Sequence, residues 1–193
     1  KASGFTASPS LSTLDGTSGF RIDGEVANDR LGQYSLSAAG DINGDGFDDI
    51  IFGAHYAEPA GTKSGSAYVV FGKASGFGTS FNVSTLNGTN GFQLDGVGAN
   101  DETGRSVGAA GDVNGDGFDD LIVGARELNT DPGQTYIVFG KASGFSAALS
   151  LSSLNGTDGF TLAGAEASSR SGISVNGAGD INGDGFSDII TGA

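Results

Sequence analysis

The sequence predicts an all-β chain made of three repeated units, each a small sheet of short strands. Two observations carry this prediction. The nine-residue run Asp41–Asp49 returns as Asp112–Asp120 and Asp180–Asp188, each copy reading D-x-N-G-D-G-F-x-D. The segments around it return as well: Lys1–Phe5 as Lys73–Phe77 and Lys141–Phe145, and Leu14–Phe20 as Leu86–Phe92 and Leu154–Phe160. Second, the chain holds 36 glycines and 3 prolines, and no stretch sustains a period of 3.6. That glycine content weakens helices and suits strands joined by tight turns.

Cutting at the recurring lysine gives units 1–72, 73–140 and 141–193. Within the first, Phe20-Arg-Ile-Asp23 alternates apolar and polar residues, as a half-buried strand does. Gln33–Gly40 follows, rich in Ser, Ala and Gly, then the Asp run. Asp49–Phe52 and Ala67–Phe71 are short apolar runs, the pattern of strands covered on both faces. The third unit ends at Gly192-Ala193 without a counterpart to Thr135–Phe139. Four strands per unit, one of small residues and two of apolar ones, is the layout of a β-propeller blade, with the small-residue strand nearest the axis where blades crowd. Solenoid repeats are shorter, about 20–45 residues.

The Asp run has the chemistry of a hard-cation loop. Oxygen side chains fall at its first, third, fifth and ninth places. Glycine at the sixth permits the sharp turn needed to wrap a calcium ion, whose ligands lie at about 2.3–2.6 Å. Asx turns also use Asn-Gly and Asp-Gly, but three full copies keeping the ninth-place Asp favour metal. An EF-hand needs flanking helices and a Glu at the twelfth place; here those places are Phe52, Val123 and Thr191. The expected connection is strand–loop–strand, with about three calcium ions, one per repeat, in a structural role.

The chain carries 23 acidic and 9 basic residues, a formal net charge of −14. That field repels phosphate backbones and anionic lipid, so neither nucleic acid nor membrane insertion is expected. Nine of the acids are Asp residues at the ligand places of the loops, and three divalent ions would take the formal charge from −14 to −8. There is no cysteine, hence no disulfide or thiol chemistry. Lys1–Phe5 is not a signal peptide, so any targeting segment is expected outside these residues. Calcium loops point to an extracellular or cell-surface setting.

Taken together, the pattern Gly40-Asp-Ile-Asn-Gly-Asp-Gly46…Asp49-Ile-Ile-Phe-Gly-Ala54 resembles the FG-GAP repeats of integrin alpha-chain β-propellers and of bacterial surface and secreted proteins. It recurs at Gly111–Ala125 and Gly179–Ala193. The resemblance implies a metal site in each loop. The first would use Asp41, Asn43, Asp45, Asp49 and the Phe47 carbonyl; the second Asp112, Asn114, Asp116, Asp120 and the Phe118 carbonyl. The third would use Asp180, Asn182, Asp184, Asp188 and the Phe186 carbonyl. It also implies an adhesion or ligand-binding module without catalysis. Two further readings are a non-catalytic scaffold module of a secreted hydrolase or lyase, and a structural subunit of a surface layer or filament.

A propeller needs about four to eight blades. Three incomplete units do not close a ring, which predicts a partial propeller completed by further blades of a longer chain or by other copies. The strand at Phe20 is then expected to complete a blade begun elsewhere. The loops opposite the Asp runs, Ala27–Leu31, His55–Lys63, Asn100–Thr103, Arg126–Asp131 and Ser168–Arg170, vary between units and are the candidate face for a protein or glycan ligand. His55 reads as a surface loop residue. Phe71, Phe77, Phe139 and Phe145 read as core and turn residues, and Phe47, Phe118 and Phe186 as packing beneath their own loops. No nucleophile–base set suggests catalysis.

Overall fold

The computed structural model describes residues 10–126 and 132–193. The opening Lys1–Phe5 repeat and residues 127–131 of one candidate loop lie outside them.

Thirteen strands run in order among the described residues. They are β1 (Arg21–Asp23), β2 (Leu36–Gly40), β3 (Asp49–Ala54), β4 (Ser66–Val70), β5 (Ser80–Asn82), β6 (Gly91–Asp95), β7 (Ser106–Gly111), β8 (Asp120–Ala125), β9 (Gln134–Val138), β10 (Ala148–Ser150), β11 (Gly159–Ala163), β12 (Ser174–Gly179) and β13 (Asp188–Gly192). The only helical pieces there are three single turns of 3-10 helix. Two of them directly follow the short strands β5 and β10, and Asn82 caps one of these, accepting the Ser84 N–H at 2.8 Å.

The strands form antiparallel blades. Blade one is β2-β3-β4-β6, blade two β7-β8-β9-β11, and blade three the pair β12-β13. Each four-stranded blade takes its outer strand from beyond the next recurring lysine, so hydrogen bonding runs across the sequence repeat. The short strands β5 and β10 are additions that alternation alone does not announce. β10 pairs in parallel with β6, the outer strand of blade one. β1 pairs with β5 in the same way, so β1 stands where the outer strand of a preceding blade would stand.

The small-residue strands pack side by side, β2 on β7 and β7 on β12. A side-chain bond repeats at each junction. Val107 N–H donates to Ser35 Oγ at 2.6 Å, and Val175 N–H to Ser106 Oγ at 3.0 Å. Between blades one and two lies the main core, with Ile51, Val69, Phe92 and Leu94 facing Val107, Leu121, Val123 and Tyr136. Side chains of this kind each contribute about 1.5–3 kcal/mol by leaving water. A second cluster joins blades two and three through Ile122, Ile137 and Val175. β4 and β8 are buried along their whole length, as their unbroken apolar runs require. Phe71, Phe92 and Phe145 pack together, the last two stacked with centroids 4.3 Å apart.

Candidate functional site

Each Asp run leaves the small-residue strand through a β-bulge. The β2–β3 register shifts between Ala38 and Gly40, β7–β8 between Ala109 and Gly111, and β12–β13 between Gly177 and Gly179. The glycines there, Gly40, Gly111 and Gly179, have φ of 72°, 73° and 68°, left-handed backbone open to glycine at little cost. The bulge turns the chain out of the ladder and starts the loop.

All three loops then close on one hydrogen-bond pattern. The first-place Asp accepts the N–H of the fifth residue through Oδ1 and that of the sixth through Oδ2. The distances are 3.0 and 2.8 Å at Asp41, 3.1 and 2.9 Å at Asp112, and 3.1 and 2.9 Å at Asp180. The third-place Asn43, Asn114 and Asn182 accept the same fifth N–H at 2.9, 3.0 and 2.8 Å. Asp45, Asp116 and Asp184 accept the N–H of Phe47, Phe118 and Phe186. Three polar side chains of each loop are thus gathered around one turn. Backbone N–H donors, led by Gly185, hold the Asp180 carboxyl below its usual range.

The ninth-place carboxylates lie deepest. Asp49 and Asp120 are fully buried. Asp49 accepts the N–H of Ile42 at 3.2 Å and of Gly72 at 2.8 Å; Asp120 accepts those of Val113 and Gly140, both at 2.8 Å. Burial pushes both carboxyls up to about 6 despite these bonds, and the neighbouring carboxylates, Asp45 and Asp41 in one loop and Asp116 and Asp112 in the other, add to the rise. Asp188 accepts the Ile181 N–H at 2.9 Å.

Among the described residues, no three His, Cys, Asp or Glu side chains stand as a ready metal-holding group. Within each loop the carboxylates face the loop's own amides. The donor set nevertheless fits a hard cation, being all oxygen, and in the first two loops the neighbouring carboxylates help to raise the proton affinity of the buried Asp49 and Asp120.

Two of the seventh-place phenylalanines reach across the blade junction. The ring of Phe118 lies against Gly44 of the first loop, and that of Phe186 against Gly115 of the second. This corrects the expectation that they pack beneath their own loops.

The opposite end is built differently. The β2–β3 hairpin places the start of β2 and the end of β3 together, away from the Asp loop. Residues 28–32 and 55–63 therefore share an end, as do 100–104 and 126. The entry loops repeat a strained backbone: Asn28 and Arg30, Asn100 and Glu102, Ser168 and Arg170 all have φ between 48° and 77°. Such conformations in non-glycine residues cost of order 1–3 kcal/mol each and cluster at binding and catalytic sites.

Two equivalent positions carry different chemistry in the two blades. In blade two, Glu102 is buried and accepts from both Arg126 Nε and Nη2 at 2.7 Å. In blade one, Arg30 stands in place of Glu102, and His55 in place of Arg126. His55 is 1% exposed, which overturns its reading as a surface residue. Its ring contacts Tyr34 and Tyr56, with centroids 4.9 and 4.5 Å away. Arg105 lies over Tyr34 at 3.5 Å, and Arg30 over Tyr56 at 3.8 Å. Burial, then the charges of Arg105, Arg30, Arg126 and Lys63, push the imidazole down to about 4, so it is neutral at pH 7. Sequence reasoning missed this row. A usable signal was charge placement: Arg30, Lys63, Arg105, Arg126 and Arg170, five of the nine basic residues, fall around these loops.

Strands, bulged Asp loops and stacked small-residue strands define a chain of β-propeller blades. Residues 33–70 and 103–138 match the model of the FG-GAP repeat, so the chain contains FG-GAP repeats. It is similar to integrin alpha pat-2 of Caenorhabditis briggsae, 33% identical over 174 residues, which is 84% of this chain and 13% of that protein. It is 31% identical to integrin alpha-V of Gallus gallus over 83% of this chain and 14% of that protein. Integrin alpha-4 of Xenopus laevis is 26% identical over 88% of this chain and 15% of its own length. The chain thus spans about a seventh of the relatives it matches.

Proposed function

We propose that this chain is a calcium-bound, extracellular β-propeller module that binds a ligand at the loops opposite its Asp loops and performs no chemistry of its own. The observation that carries the metal reading is the ninth-place carboxylate. Asp49 and Asp120 are fully buried beside further carboxylates and, among the described residues, with no cationic side chain bonded to them, an arrangement that a divalent ion would relieve. One ion would be held by Asp41, Asn43, Asp45, Asp49 and the Phe47 carbonyl, a second by Asp112, Asn114, Asp116, Asp120 and the Phe118 carbonyl. A third would be held by Asp180, Asn182, Asp184, Asp188 and the Phe186 carbonyl. Bound calcium supplies charge compensation; the loop amides pre-orient the carboxylates.

The similarity to integrin alpha chains supports adhesion, with a protein or glycan as partner, and a cell-surface or secreted setting. Open blade faces support completion by further blades of a longer chain or by other copies: Leu36 is 66% exposed at one end and Ile190 61% at the other.

The test is thermal unfolding in calcium and in excess chelator, for the chain and for Asp116→Ala. Calcium is expected to raise the melting temperature by several degrees through preferential binding to the folded state. Asp116→Ala should lose about a third of that gain while melting in chelator much as the parent does. Indifference to chelator, or an equal loss for the variant in both buffers, would sink the calcium reading.

A further inference from the structure

We propose that Arg30, His55 and Arg105 form a receptor for one carboxylate side chain, an Asp or Glu presented by a polypeptide ligand. The inference rests on the ligand-face reading above and names what that face recognises. It starts from the two blades' equivalent positions. In blade two the guanidinium of Arg126 is matched by the buried Glu102 carboxylate. In blade one the carboxylate is missing: Arg30 occupies its place, and His55 Nδ1 is buried with no hydrogen-bond partner. A buried polar nitrogen left unpaired is costly, and in the Nδ1–H tautomer a carboxylate oxygen brought against it would accept its proton and relieve that cost.

The surrounding groups are already ordered for this. Arg105, Tyr34, His55, Tyr56 and Arg30 form a continuous row of contacts. Each guanidinium carbon lies over a tyrosine ring, a contact that restrains the side chain while its N–H groups stay free to address a carboxylate. Among the described residues neither Arg30 nor Arg105 makes an ion pair. Arg30 also sits in a strained left-handed conformation, with φ of 62°, that holds it over the ring.

The ligand is a single carboxylate rather than a long polyanion because of what borders the row. Beyond Tyr56 opens a cleft of about 540 Å³ lined by Glu25, Asp29 and Glu58 as well as Lys63. A sulfated glycan extending past Tyr56 would meet those carboxylates, whereas one side chain reaching between Arg30 and Arg105 would not.

The chain has one histidine, so the His55 ring signals in an NMR titration report this site alone. The ligand used is a blocked glycine-flanked aspartyl tripeptide, with the asparaginyl tripeptide and a disulfated disaccharide as comparisons. The aspartyl peptide is expected to shift the His55 signals saturably, with the asparaginyl peptide binding about tenfold or more weaker. Arg105→Ala and Arg30→Ala should each weaken the aspartyl peptide about tenfold. Both are partly or fully exposed side chains, and their calcium-dependent melting serves as the folding check. Equal shifts from the two peptides, tighter binding of the disaccharide, or unchanged affinity in Arg105→Ala would overturn the proposal. A retained calcium melting gain with no peptide response would overturn this inference alone; a lost gain with the response intact would overturn the calcium reading alone.

Discussion

Blades one and two are built alike at their Asp loops and unlike at the other end. At the loops, Asp41 and Asp112 both accept the fifth- and sixth-place amides, and Asp49 and Asp120 are equally buried. At the opposite end both entry loops repeat the left-handed backbone of Asn28 and Arg30 at Asn100 and Glu102, yet the side chains carry a closed ion pair in one blade and, in the other, an arginine and a neutral histidine packed on tyrosine rings. One end is under geometric demand at every atom, so it repeats. The other keeps the backbone and leaves side-chain chemistry free to differ, which suits a recognition face on a constant frame.

The largest test of that contrast is Arg126→Ala against Arg30→Ala. Removing Arg126 leaves the Glu102 carboxylate, 2% exposed, without its partner and should cost about 3–5 kcal/mol. Removing the exposed Arg30 forfeits only a cation–π contact, about 0.5–1 kcal/mol. Urea unfolding of the two variants measures both. Similar losses would mean that the two blades do not differ in the way their charges suggest.

The second test uses pH. His55 is held down to about 4 in the folded chain, against about 6.5 when unfolded. The unfolded state therefore binds more protons between these values. The contribution is full above pH 6.5 and is lost as pH falls toward 4, on the order of 3 kcal/mol in all. Comparing the chain with His55→Phe at pH 7 and pH 5 isolates this term, because the remaining titrations are shared. The parent should lose about 2 kcal/mol more than the variant over that interval. A parallel fall would place His55 in contact with water, contrary to its burial.

These contrasts also show what a linear reading reaches. The strands at Leu36–Gly40, Asp49–Ala54 and Ser66–Val70 were legible because apolar runs and glycine turns are local properties that repeat. The gathering of Asp41, Asn43 and Asp45 was legible for the same reason, since all lie within one turn. The row Arg105–Tyr34–His55 was not, because it joins residues of different blades and exists only once β2 packs on β7. β5 and β10 were hidden by their length of three residues each, too short to show alternation. The unit boundaries followed the sequence repeat, whereas hydrogen bonds place β6 and β11 in the preceding blade, the phase already expected for their counterpart strand at Phe20.

The smallest expected effect returns to the Asp-loop end and asks whether its sameness depends on the neighbouring blade. Gly115 and Gly183 hold the same loop place with φ of 77° and 78°, so an alanine pays the same left-handed cost at either, about 1–2 kcal/mol. Their surroundings differ: a Cβ on Gly115 would press on the Phe186 ring, while one on Gly183 meets nothing within 4 Å. Gly115→Ala should therefore be worse than Gly183→Ala by about 1 kcal/mol or more, the cost of displacing a packed ring. Because Phe186 belongs to blade three, that difference is a direct reading of how firmly one blade's Asp loop is held by the next. Equal losses in urea unfolding would show that the ring swings away freely, and that each loop is a self-contained turn whose repeated geometry owes nothing to its neighbour.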